Sequence, residues 1–148
     1  MDAKHIIAEL NELVEKNHDA ANGFRNAVKK VHNHDLRNYL MEHVYLHNQF
    51  NSELQQEITF LGGTPRESKQ HPATLYQAWM DLKTALSSDK EEAVLEECIR
   101  GDKNALHEYR YVLEENDVPE HVKFTVRKQM KKIESSLRNL ERMEKHYD

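Results

Sequence analysis

Two imidazoles four residues apart are the most chemically suggestive feature of this sequence. His43 and His47 stand in register with Leu36, Leu40, Phe50 and Leu54, so a helix carries both on its apolar face. Two nitrogen donors on one face can hold one metal ion, and a nearby carboxylate would complete a mixed shell suited to zinc or iron. Glu97 is the carboxylate nearest in expected height. It lies beside the stripe of Val94, Cys98 and Ala105, and Asp102 borders the same stripe. Asn17 falls between Leu10, Val14, Ala21 and Phe24, and Gln129 between Val126 and Ile133. The expected set is therefore His43, His47 and Glu97 as metal ligands, with Asn17 and Gln129 in a buried polar column. The same residues also read as plain core side chains. In that reading the histidines are hydrogen-bonded, Glu97 is a partly exposed salt-bridging residue, and the amides are satisfied by each other, by backbone or by water.

These residues need helices to position them, and the apolar periodicity is helical nearly throughout. A first segment covers about 2–33, with Ile6, Leu10, Leu13, Val14, Ala21, Phe24, Val28 and Val31 at three- and four-residue spacing. A second covers about 35–61, with Asp35 as the expected N-cap and Gly62-Gly63 as its stop. A shorter helix is expected over about 72–87, with Pro72 in its first turn. Ser88 and Glu91 read as a capping box for a helix over about 89–115. The last helix covers about 118–145, after a break at Asn116–Glu120 capped by Asp117.

This pattern predicts an all-α, single-domain chain over 1–148. Four helices of roughly 40 Å form two antiparallel hairpins, joined by a long crossover that contains the short helix. His43 and Glu97 then lie at similar height, counted at about 1.5 Å per residue from the same end, with Asn17 and Gln129 nearer mid-bundle.

Composition narrows the function. The chain has 148 residues, Lys+Arg 21 against Asp+Glu 26, and a net charge of −5. A net-negative chain without a basic block is a poor general nucleic-acid binder, and Arg127, Lys128, Lys131 and Lys132 read as a solvated helix face. The single cysteine, Cys98, excludes an internal disulfide and reads as a small buried apolar residue. No apolar run is long enough to span a membrane. Met1-Asp2-Ala3-Lys4-His5 lacks the pattern of a signal peptide, so the expected location is the cytoplasm. There is no Gly-rich phosphate loop and no His-Glu-x-x-His motif.

Several segments carry a resemblance: Leu10-Asn11-Glu12-Leu13-Val14, Leu61-Gly62-Gly63, Ala78-Trp79-Met80-Asp81-Leu82-Lys83, and Leu95-Glu96-Glu97-Cys98-Ile99-Arg100-Gly101-Asp102 followed by Tyr109. In order and spacing they resemble a family of small bacterial ferritin-like four-helix-bundle proteins, labelled as a domain of unknown function. The resemblance implies a ferritin-like fold and no particular activity. A di-iron site in that superfamily takes a Glu from each of two helices and Glu-x-x-His from the other two. Here Leu40 stands where the Glu before His43 belongs, helix four reads Val126-Arg127-Lys128-Gln129, and helix one offers Asn17.

The expectation is a bundle without the di-iron site and without catalytic activity. It would act through interaction or self-association, as a homodimer or with a protein partner. Tyr76, Trp79 and Met80 are candidate contact residues. No cofactor is expected in that case. The alternative is a mononuclear metal-binding or redox protein holding one zinc or iron ion with His43, His47 and Glu97.

Overall fold

A computed structural model describes residues 3–29, 31–65 and 91–145. The expected helix at 72–87, with Tyr76, Trp79 and Met80, and Ser88 of the expected capping box lie outside the described residues. Those described form four helices and no strand: α1 (Ala3–Val28), α2 (His34–Phe60), α3 (Glu91–Glu114) and α4 (Glu120–Glu144). The helices pack mainly in pairs, α1 on α2 and α3 on α4, with lighter contact between α2 and α4 and between α1 and α3. No described helix is long and apolar enough to cross a membrane.

The ends follow local chemistry. α1 stops at Val28, five residues before the expected boundary, and Val31 beyond it is buried in the core. The N-cap of α2 is Asn33, not Asp35: the Asn33 side chain accepts the Leu36 N–H at 2.9 Å. Asp35 lies inside the first turn instead, where its charge suits the positive helix end. Asp117 is not the cap of α4. It adopts a left-handed φ of 66° in the turn, and Pro119 occupies the cap position without a side-chain bond. Glu91 accepts from the backbone N–H groups of His32 and Asn33, each at 2.7 Å, which fastens the start of α3 to the α1–α2 turn.

The Gly62-Gly63 stop behaves as expected. Gly62 takes φ 86°, its N–H reaches the Thr59 carbonyl at 3.0 Å, and the Gly63 N–H reaches Ile58 at 2.9 Å. These two bonds satisfy carbonyls that a helix end leaves orphaned. A Cβ on Gly63 would sit 2.8 Å from Ile7, so a bare backbone is what lets this end of α2 lie against α1. Gly62→Ala is expected to lower unfolding free energy by about 1–2 kcal/mol through the left-handed backbone penalty. Urea denaturation checks this.

The apolar positions collect into two clusters. One holds Ile6, Leu10, Phe50, Leu54, Ile58, Val112, Val122 and Ile133 among others. The other, beside the α1–α2 turn, holds Phe24, Leu36, Tyr39, Leu40, Leu95, Cys98 and Leu140. Burial, then the charges of Asp102 and Glu97, push the Cys98 thiol far above its ordinary range. Between the clusters lies a layer of polar side chains.

Candidate functional site

Each helix contributes to that layer from a position in its apolar stripe. α1 supplies Asn17, α2 supplies His43 and His47, α3 supplies Asp102, and α4 supplies Gln129, all of them buried. Helical spacing places them: Asn17 is three residues past Val14, Asp102 four before Leu106, and Gln129 three past Val126. Tyr39 and Tyr109 complete the layer.

The polar groups form two connected sets. In the first, Asp102 is the shared acceptor. The Tyr39 hydroxyl donates to its Oδ2 at 2.9 Å, and His43 Nε2 donates to its Oδ1 at 2.9 Å. Burial, and then the adjacent Asp102 charge, hold the Tyr39 phenol well above its ordinary range, so it remains a donor.

The second set is a directed chain, and its direction follows from its far end. An ionised carboxylate only accepts. Glu53 therefore takes a hydrogen bond from Gln129 Nε2 at 2.9 Å and another from Lys128 Nζ at 2.8 Å. Partial burial raises the Glu53 pKa, but the bonds from Lys128 and Gln129 and the Lys charges outweigh it and hold the group below its ordinary value. Gln129 Nε2 also lies 3.2 Å from the Phe50 carbonyl. With its amide so oriented, Gln129 Oε1 accepts from the Tyr109 hydroxyl at 2.7 Å. The Tyr109 oxygen accepts from Asn17 Nδ2 at 3.1 Å. Asn17 Oδ1 is left to accept from His47 Nδ1 at 2.7 Å. Every member passes its donor toward Glu53, an arrangement in which the bonds polarise one another.

This direction assigns the tautomer of His47. Nδ1 carries the proton, so Nε2 carries the lone pair. Burial, and next the proximity of His43, lower the His47 pKa well below its ordinary value, so the ring is neutral. The two imidazoles lie edge to face, with centroids 4.7 Å apart. Phe24 contacts both rings, at 4.8 Å and 5.9 Å.

A cleft of about 270 Å³ opens between α1 and α3 over this layer. Leu13, Ala20, Phe24 and Ala105 give it apolar walls. Asn17, His47, Asp102 and Tyr109 line its interior, and Lys16, Glu97, Arg100 and Glu108 are also among its lining residues. A mostly apolar cleft with a few converging polar groups is the usual form of a small-molecule or side-chain site.

Four of the five residues selected from sequence thus belong to one layer: Asn17, His43, His47 and Gln129. Asn17 and Gln129 are bridged by Tyr109 and do not touch directly. Glu97 stands apart from them. It is 25% exposed and binds Arg100 at 2.6 Å and 2.9 Å, the salt-bridging role that sequence also allowed. The acid on His43 is Asp102, five residues farther along α3. Tyr39, Tyr109 and Glu53 were not singled out. Tyr39 sits four residues before His43, a spacing that could have revealed it.

The family model described as Domain of unknown function (DUF2383) matches residues 5–115. This chain belongs to that family. The match takes in all of α2 and α3 and nearly all of α1, with Asn17, His43, His47, Asp102 and Tyr109. It stops before α4 and Gln129. Comparison with curated proteins and with solved structures returned no match.

Proposed function

We propose that this member of the DUF2383 family is a ferritin-like bundle that has given up a di-metal interior and acts by interaction or self-association. The observation that carries this reading is the composition of the polar layer. Every helix contributes a polar group at one level, as a metal-centred bundle requires, yet of Asn17, His43, His47, Asp102 and Gln129 only Asp102 is a carboxylate, and Glu53 at the edge is already held by Gln129 and Lys128. Asn17 and Gln129 are neutral amides already committed to Tyr109 and His47. Two divalent ions there would lack compensating charge in a low-dielectric interior, so the residues present do not fit a di-iron centre. The start of α3 beside the α1–α2 turn, held by Glu91, supports the ferritin-like course of the chain.

Interaction needs a surface. Met41 and Tyr45 on α2 are 55% and 65% exposed, next to a shallow pocket lined by Tyr39, Ser136 and Asn139. Large apolar side chains presented together in this way suit a contact with a second chain. Sedimentation equilibrium over a wide concentration range is expected to show reversible association, weakened by Tyr45→Glu. A strictly monomeric protein at every concentration counts against the reading.

The orientation of the imidazoles favours a second reading, mononuclear metal binding through His43, His47 and Glu97. Each ring has one nitrogen occupied by a neighbour, Asp102 for His43 and Asn17 for His47, as ligating imidazoles usually do. Glu97 lines the same cleft as His47. Elemental analysis of untagged protein decides. Less than about a tenth of an equivalent of metal, with no loss of uptake in His43→Ala, removes this reading.

A further inference from the structure

A second convergence of ligating side chains lies far from the polar layer, where the start of α1 meets the end of α3. His5 and Glu9 are one turn apart on α1, and Glu115 directly follows α3. His5 Nε2 is 3.2 Å from Glu9 Oε1 and 3.5 Å from Glu115 Oε2. One ligand atom from each residue lies within 4.8 Å of the others, the one such trio among the described residues.

Two features set this trio apart from an ordinary surface ion pair. A protonated imidazole nitrogen serves one acceptor well, and here a single Nε2 faces two separate carboxylates. In addition, the Glu9 carboxyl is set against that of Glu115, and its buried Oε2 meets no N–H donor, which is unusual for a buried carboxylate oxygen. One cation between the three groups would answer both. Zinc holds imidazole and carboxylate donors at about 2.0–2.2 Å in a tetrahedron, whose edges are then about 3.3–3.5 Å. Both measured contacts are on that scale.

We propose that His5, Glu9 and Glu115 form a binding site for one divalent transition-metal ion, zinc by preference. The mixed nitrogen and oxygen donors suit zinc. Calcium and magnesium take about six or more oxygen ligands, which three side chains do not supply. Three protein donors leave a fourth position for water, and His5, at 59% exposure, keeps the site open to solvent. The ion would neutralise two adjacent carboxylates and clamp α1 to α3, helices that otherwise touch lightly. The site is independent of the reading of the bundle interior.

The test is calorimetric titration of untagged protein with zinc chloride. Wild type is expected to take up one ion per chain at this site. His5→Ala and Glu115→Gln should each weaken it by at least about tenfold, while His47→Gln leaves it unchanged. Zinc should also raise the melting temperature of wild type and of His47→Gln but not of Glu115→Gln. The proposal is overturned if wild type takes up no zinc, or if Glu115→Gln binds as wild type does, which would assign the uptake to other histidines among the ten.

Discussion

Asp102→Ala is expected to lower unfolding free energy by about 3–5 kcal/mol, the range for breaking a buried charged interaction from one side. The carboxylate is the common acceptor for the Tyr39 hydroxyl and His43 Nε2 at 2.9 Å each, and the residue is 2% exposed. Removing it leaves the Tyr39 hydroxyl and His43 Nε2, 3.2 Å apart, with only each other to bond, and a buried polar group left unpaired costs about 1–3 kcal/mol. The prediction has a second arm that a simple volume loss would not produce. Replacing the whole set, Tyr39→Phe with His43→Leu and Asp102→Leu, should restore much of the loss, because no polar group is then left without a partner. Urea denaturation of the three proteins decides. A triple variant less stable than Asp102→Ala would show that packing, not hydrogen-bond satisfaction, governs this level.

The second large effect is a stability loss in mild acid that runs through His47. Its folded-state pKa is lowered, by burial first and then by His43. Above about pH 6.5 the ring is neutral folded and unfolded, and pH has no leverage through it. Below about 6.5 the unfolded chain takes up a proton that the native state refuses, so native stability falls as pH falls. The slope approaches about 1.4 kcal/mol per pH unit, the limit for one proton, between the unfolded and the lowered folded value. His47→Gln keeps a donor for Asn17 and removes the titration. It should be the less stable protein at pH 7.5 and lose that disadvantage by pH 5. A stability gap between the two proteins that stays constant with pH would contradict the assignment of His47 as a neutral interior base.

The sequence made the helices legible because burial imposes its spacing on every one of them. Leu10, Val14, Asn17, Ala21 and Phe24 recur as a helix demands, and a polar residue in such a row announces itself. His43, His47, Asn17 and Gln129 were readable for this reason. Glu97 and Asp102 show the resolution of the method. They differ by five residues, about 140° in helical phase, and the four-residue spacing of Cys98, Asp102 and Leu106 sets Asp102 inside and Glu97 at the rim. Tyr109 was hidden because its ring belongs to the apolar stripe while its hydroxyl does not. The bond from Gln129 to Glu53 joins residues 76 positions apart, and periodicity within one segment carries no trace of such a pairing. The caps were harder still. Asn33, His34 and Asp35 are all polar, and any of them fits the start of a helix until the Leu36 N–H is seen to choose Asn33.

The lone thiol of this chain doubles as a gauge. Cys98 is 1% exposed, in the cluster beside the α1–α2 turn, and its thiol is far too weak an acid to react from where it sits. A water-soluble alkylating reagent reaches it only when that half of the molecule comes apart, since the thiolate is the reactive form. The labelling rate therefore counts excursions of one end of the bundle and is silent to fraying at the other, without any engineered probe.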